Sequence, residues 1–154
     1  MNFELKTLDL KAAATQASDA LIVLVKADFK PATDVLSRLI ADARKSGDLD
    51  ATPAKLLSIW RAQGVTSARV VLVSIGEGHA RLVRQAVSAA VTSLKSAAPK
   101  KITLCLPDGS QHRLQAAAQA VADASYVYTA TKPSAKAALL SRVVLALPTA
   151  AQTK

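Results

Sequence analysis

Four apolar runs constrain the fold of this sequence more than any other feature. Each is rich in β-branched residues, and they are ALIVLV (20–25), VVLVSI (70–75), ITLCL (102–106) and VVLAL (143–147). Strands that are covered on both faces, as in parallel sheets, have this continuous apolar character. Two weaker segments predict a half-exposed or edge strand, namely the alternating FELKTL (3–8) and the less regular KLLSIW (55–60). The pattern therefore predicts a mixed, mostly parallel sheet.

Three helical patterns lie between these strands, at residues 33–45, 79–97 and 112–128. The second has an apolar stripe and a basic opposite side, as an amphipathic helix packed on a sheet does. Residues 68–147 thus alternate strand, helix, strand, helix, strand, a βαβαβ unit whose crossovers should be right-handed. The predicted fold class is α/β, with three layers and helices on both faces of the sheet.

Composition places this sheet in one domain with an aliphatic core. The chain has 154 residues, of which 51% are hydrophobic and 3% aromatic, and this length favours one domain. Its one cysteine, Cys105, has no partner for an internal disulfide and is expected to be a buried small hydrophobe. The N-terminus has no signal-peptide pattern, and no apolar run approaches the ~20 residues that span a bilayer. We therefore expect a cytoplasmic protein without a membrane contact.

A G-E-G turn follows the strand at 70–75 and precedes a helix, as a phosphate-binding loop would. Backbone N–H groups and a helix N-terminus can face an anion there. Against this, Arg81 stands where the dinucleotide fingerprint has its third glycine, and Glu77 adds a negative charge. A tight corner that needs a positive φ is the alternative. The candidate ligand loop comprises Gly76, Gly78, His79, Asp108 and Gly109.

Catalytic and metal-binding motifs are absent from the sequence. The two histidines, His79 and His112, are too few for a zinc site, which needs three or four ligands. Ser74 does not sit in a G-x-S-x-G elbow. The chain is therefore predicted to have no catalytic residue and no metal site of its own.

The net charge of +9 is uneven along the chain, because residues 1–50 carry −1 and residues 51–154 carry +10. Residues 1–50 carry seven Lys/Arg and eight Asp/Glu, whereas the remainder carries thirteen and three. Such a surface can attract nucleic acid or an acidic partner, or be only a solvated face. The few aromatic residues are not interleaved with the basic ones, as base stacking would need. The candidate nucleic-acid face comprises Arg81, Arg84, Lys95, Lys100 and Lys101.

The order and spelling of the segments resemble the N-terminal domain of the cytosolic leucyl aminopeptidase family. The segments that carry the resemblance are ALIVLV, KSGDL (45–49), KLLSIW, ARVVLVSIGEGH, RLVRQAVSAAVTSL, KITLCLP and QAVADASYVYTATKP (119–133). The family's V-L-L-V-G-L-G strand corresponds to VLVSIG (71–76), with Ser74 at the position of a small residue. Its A-x-A-x-x-G-x-x-L-x-x-Y segment corresponds to AVADASYVY (120–128), with Ser125 in place of glycine.

This resemblance implies a non-catalytic accessory and oligomerisation domain. Members of the family remove N-terminal residues from peptides with two divalent metals, zinc or manganese, held in a C-terminal catalytic domain. The N-T-D-A-E-G-R-L-type signature of that domain does not occur here. The resemblance implies that residues 1–148 form the N-terminal domain and that 149–154 begin an interdomain linker. The implied partners are the chain's own catalytic domain and the sister subunits of a hexamer.

Two further functions stay open beside the accessory function. The N-terminal domain of the family resembles a macrodomain, so a macrodomain-like nucleotide binder using the candidate ligand loop is one alternative. Some bacterial members contact DNA, so a DNA-binding module using the basic second half is the other. The charge distribution and the G-E-G turn do not by themselves distinguish these alternatives from the accessory function.

Overall fold

Six strands and four helices make up the part of the chain that the computed structural model describes. The described residues are 2–29, 33–49, 52, 54–61, 63–94, 99–107, 110–131 and 142–147. In chain order the elements are β1 (Asn2–Thr7), α1 (Leu10–Ala14), β2 (Ala20–Val25), α2 (Val35–Ser46), β3 (Leu56–Trp60), β4 (Arg69–Ser74), α3 (Ala80–Ser93), β5 (Lys101–Cys105), α4 (Gln111–Thr131) and β6 (Arg142–Leu147).

All six strands form one sheet in the order β1-β6-β5-β2-β4-β3. Every neighbouring pair is parallel except β3 and β4, which are antiparallel. The mixed, mostly parallel sheet that the apolar runs predict is thus confirmed. The two segments with weaker patterns are β1 and β3, and both lie at an edge, as predicted.

The βαβαβ unit is confirmed, because β4, β5 and β6 are parallel in one sheet with α3 and α4 between them, and the strand order adds a detail that the sequence did not predict. The elements β4, α3, β5, α4 and β6 follow one another in the chain as expected, but β2 lies between β4 and β5 in the sheet. Ala20 of β2 is in register with Arg69 of β4 on one side and with Ile102 of β5 on the other. All six residues of β2 are buried, so the most apolar run takes the centre of the sheet. The handedness of the crossovers stays a prediction.

Helices cover both faces of the sheet, which confirms the three-layer prediction. One apolar cluster joins α3 and α4 to alternate residues of the central strands, with Val83, Val87 and Val121 among its fully buried members. The other joins α1 and α2 to the opposite face and contains Leu36 and Ile40. Burying an aliphatic side chain of this size contributes about 1.5–3 kcal/mol. The many alanines of α4 let that helix lie close to the sheet.

The helix ends follow local capping rules, and one helix is missing from the sequence prediction. In α2 the Asp34 carboxylate accepts a hydrogen bond from the Ser37 N–H at 3.0 Å, and Gly47 ends the helix with φ of +84°. The missing helix is α1, which has five residues, too few to show a helical period. Asp9 caps it by accepting from the Ala12 N–H at 2.8 Å.

Cys105 lies buried near the end of β5, as the sequence predicts. Desolvation raises the pKa of its thiol to about 12, so the sulfur is protonated and unreactive at neutral pH. Its immediate surroundings are the aliphatic cluster beneath α1 and α2. Among the described helices, none has the length and apolar character needed to span a membrane.

Candidate functional site

The G-E-G turn after β4 is a tethered corner between β4 and α3. Gly76 and Gly78 adopt φ of +57° and +85°, the left-handed region that favours glycine. The carbonyl oxygen of Gly76 accepts from the Ala27 N–H at 2.8 Å, which ties the corner to the end of β2. Arg113 of α4 donates from Nε to the Gly78 carbonyl at 2.7 Å. The two glycines therefore form a turn that is held by hydrogen bonds from the end of β2 and from α4.

Arg113 also occupies the space beside Gly78. A Cβ built on Gly78 would lie 3.1 Å from both Nε and Nη2 of Arg113. The glycine is therefore needed twice, for its backbone conformation and for the close approach of the guanidinium. Only the first reason is visible in the sequence, because Arg113 lies 35 residues further along the chain.

The histidines lie beside polar neighbours at the starts of α3 and α4. His79 is the N-cap of α3 but makes no side-chain cap hydrogen bond. Its Nε2 lies 3.2 Å from a carboxylate oxygen of Glu77, with both side chains exposed. His112 Nδ1 lies 2.8 Å from the hydroxyl of Ser110. Among the described residues, no group of three or more His, Cys, Asp or Glu side chains is arranged to hold a metal ion.

A cavity of about 460 Å³ opens at the carboxyl ends of β2 and β5, where ligands bind in open α/β sheets. Three carboxylates and two lysines line it, and most of this charge is balanced locally. Asp9 and Asp34 accept from the first turns of α1 and α2, and the Lys26 ammonium lies 3.9 Å from the Asp28 carboxylate. The fifth charged group is Lys11. This charge pattern gives a diphosphate no net attraction.

The candidate ligand loop does not coincide with that cavity. None of Gly76, Gly78 and His79 is among its described lining residues, and Asp108 and Gly109 lie outside the described part of the chain. The lining carboxylates Asp9 and Asp34 were not singled out in the sequence, although each stands just before a helix. The assignment of the loop to a nucleotide stays a prediction.

The candidate nucleic-acid face is divided between two ends of the sheet. Arg81 and Arg84 are exposed in the first turns of α3, beside the carboxyl end of β4. Lys100 and Lys101 come after that helix, at the amino end of β5. A helix of this length separates its ends by about 20 Å. Lys95 lies outside the described residues, and the DNA hypothesis stays a prediction.

Comparison with known proteins decides the family. Residues 22–135 match the family described as "Cytosol aminopeptidase family, N-terminal domain". The chain belongs to this family. Probable cytosol aminopeptidases of Albidiferax ferrireducens and Acidovorax ebreus are 47% and 48% identical to it, over 96% and 97% of the chain. The chain spans only 31% and 30% of the lengths of these two relatives.

Solved structures show the same fold at low sequence identity. A mutant of tomato leucine aminopeptidase superposes with a TM-score of 0.73 at 15% identity, covering 99% of this chain and 33% of that protein. The macrodomain of Thermus aquaticus DarG superposes with a TM-score of 0.59 at 12% identity, covering 96% of this chain and 99% of that one. The family's N-terminal domain therefore has a macrodomain-like α/β fold, as the resemblance implied.

Proposed function

We propose that this domain is the accessory and assembly part of a leucyl-type cytosol aminopeptidase. One observation carries the proposal: the domain matches relatives named as aminopeptidases at 46–48% identity, yet spans less than a third of their length. The remaining length has room for a catalytic domain that removes N-terminal residues from peptides. That domain would hold two divalent metals, zinc or manganese. A fold relative, the bottromycin maturation enzyme BotP, is described in complex with Mn. The proposed location is the cytoplasm.

The proposed domain boundary is residue 148, with residues 149–154 beginning the linker. β6 ends at Leu147, whose carbonyl oxygen accepts from the Leu8 N–H at 2.8 Å just after β1. β1 and β6 thus run side by side at one edge of the sheet and end at the same level. A chain that continues past β6 leaves the domain beside the end of β1.

The β1 edge offers a surface for the rest of the polypeptide. Phe3 and Leu5 are 41% and 55% exposed, although both are large and apolar. They are in register with Val143 and Leu145, which belong to the cluster beneath α3 and α4. Phe3 and Leu5 thus extend this apolar layer beyond the sheet edge. The chain's own catalytic domain, leaving beside β1, is the proposed cover, and sister subunits are further partners.

Two assays test this proposal. The purified 154-residue chain should hydrolyse leucine p-nitroanilide no faster than buffer with Mn²⁺ or Zn²⁺, whereas the full-length protein should turn it over. Metal-dependent turnover by the chain alone would refute the non-catalytic assignment. In the full-length protein, the pair Phe3→Ser and Leu5→Ser should lower the assembly mass measured by light scattering or the melting temperature. Trp60→Ser, a matched removal of an exposed apolar side chain at the other sheet edge, should leave the assembly mass unchanged, whatever the loss of its cation–π contacts does to the melting temperature. Equal effects of the two variants on the assembly mass would refute docking at β1.

A further inference from the structure

A second cavity lies at the amino end of the sheet, opposite the edge where α/β proteins bind ligands. It has a volume of about 610 Å³ and is lined by the first residues of β2 and β4, by residues just before β2, β4 and β5, and by the last residue of β3. We call it the Trp60 groove, and the lining residues that matter here are Asp19, Trp60, Arg69 and Lys100.

Trp60 gives the groove an exposed aromatic surface that is already paired with cations. It is the one tryptophan of the chain, and its side chain is 57% exposed. The antiparallel register places Trp60 opposite Arg69, whose guanidinium carbon lies 4.3 Å from the ring centroid. The guanidinium carbon of Arg61 lies 5.4 Å from the same centroid. Guanidinium groups held on a ring in this way lose less freedom when a ligand binds.

Arg69 keeps an unused hydrogen-bond donor at the groove. Its Nε is buried and has no hydrogen-bond partner among the described residues. A buried donor without a partner costs about 1–3 kcal/mol, and more when it is charged. A guanidinium is a planar fork that matches a carboxylate in two parallel hydrogen bonds. Because Nε itself has almost no accessible surface, a carboxylate entering the groove would pair with the two Nη atoms of Arg69.

The remaining charges of the groove also favour an anion. The single lining carboxylate, Asp19, is already engaged, since one of its oxygens accepts from the N–H groups of Lys100 and Lys101 at 2.8 and 3.1 Å. Asp19 keeps its negative charge, so together with Arg61, Arg69 and Lys100 it gives the ring and the groove a net charge of +2. Positive charges lining a concave surface attract an anionic partner over a longer range than direct contacts do.

The backbone beside Trp60 is held in a strained conformation. Arg61 has φ of +52°, which costs a non-glycine residue about 1–2 kcal/mol. Its N–H donates to the Ala68 carbonyl at 2.7 Å, and this bond maintains the turn between β3 and β4. Strain of this kind clusters at functional sites, and here it places a guanidinium next to the exposed ring.

The position of β3 indicates the shape of the partner. β3 is the last strand of the sheet and pairs with β4 on one side only, so its outer backbone groups can receive an added strand. The groove has one exposed aromatic ring, whereas proteins that bind single-stranded nucleic acid stack successive bases on several. We propose that the Trp60 groove binds an extended acidic peptide segment, with a carboxylate on Arg69 and its backbone along β3.

Trp60 itself reports the binding, because its fluorescence is the chain's only tryptophan signal. Titration of the 154-residue chain with hexaglutamate at low salt should give a saturable change in intensity or wavelength. Arg69→Gln should weaken the affinity at least tenfold. Arg84→Gln removes the same charge from the exposed face of α3 and should leave the affinity within twofold. Equal weakening by the two variants would show attraction by net charge alone and overturn the proposal.

A second variant and two further probes keep the test decisive. Arg61→Gly removes a positive charge and suits the left-handed φ, so it should stay folded and weaken hexaglutamate binding at least threefold. It decides the test if Arg69→Gln fails to fold, as judged by circular dichroism. Hexalysine should give no response. A thymidine hexanucleotide that binds as tightly as hexaglutamate, with the same loss in Arg69→Gln, would assign the groove to nucleic acid and overturn the peptide proposal.

Discussion

The contact between Gly78 and Arg113 can be isolated by comparing two glycines with the same backbone. Gly47 and Gly78 have φ of +84° and +85°. A Cβ on Gly47 would meet nothing within 4 Å, whereas one on Gly78 would lie 3.1 Å from the Arg113 guanidinium. Gly47→Ala and Gly78→Ala therefore share the backbone strain and differ in the neighbour that the new methyl group displaces.

The expected magnitudes follow from these two contributions. Alanine in the left-handed region costs about 1–2 kcal/mol, which is the full effect expected for Gly47→Ala. In Gly78→Ala the methyl group also pushes Arg113 from the carbonyl oxygen that it reaches at 2.7 Å. Hydrogen bonds to charged groups contribute about 1.5–3 kcal/mol. We expect Gly78→Ala to lower the free energy of unfolding by about 2.5–5 kcal/mol.

Urea denaturation followed by circular dichroism measures both costs, and a double-mutant cycle assigns their difference. In the Arg113→Ala background the guanidinium is gone, so Gly78→Ala should cost no more than Gly47→Ala. Coupled neighbours show interaction energies of about 0.5–3 kcal/mol. If the two substitutions differ by less than about 0.5 kcal/mol in the unmodified chain, the close approach of Arg113 has no energetic weight and the reasoning fails.

Three other outcomes are expected. Cys105 should react with a disulfide reagent only as fast as the domain opens, because its thiol is buried with a pKa raised to about 12; rapid labelling of the native chain would contradict this. Thr103 has a buried hydroxyl without a hydrogen-bond partner among the described residues, so Thr103→Val should raise the free energy of unfolding by about 1–2 kcal/mol in urea titrations, and a decrease would count against it. The Arg142 hydrogen bond lowers the pKa of Glu4 below its usual 4.5, so stability should be gained above that value and lost as the pH falls through the lowered pKa. Glu4→Gln should remove this loss in thermal melts, and an unchanged pH dependence would exclude Glu4 as its source.

The strands and their burial were predictable because each is encoded locally. A strand covered on both faces needs an unbroken apolar run, and β2 and β4 show it; an edge strand alternates, and β1 does. The place of β2 between β4 and β5 was not predictable in this way. Consecutive strands are usually neighbours, and only the central burial of β2 explains the exception.

The Trp60 groove could not be predicted from the sequence for a similar reason. Trp60 is part of a modest strand pattern, and Arg69 begins another strand nine positions later. Their contact arises from the antiparallel register of β3 and β4, which places these two residues opposite each other. Lys100 and Asp19 join them only through the strand order of the whole sheet. By contrast, the separation of Arg81 and Arg84 from the lysines after α3 could be predicted from the sequence. A helix rises 1.5 Å per residue, so residues at its two ends lie far apart.

The pairing of β1 with β6 sets the order in which the domain can be completed. Asn2 is in register with Arg142, and β6 separates β1 from every other strand. β1 is synthesised before the other described strands and is therefore the last of them to find its neighbour. Until β6 is made, β1 is unpaired and the outer edge of β5 is open, which invites association with other chains. Contacts this distant in sequence also slow folding, so production of this domain should depend on chaperones or on low temperature.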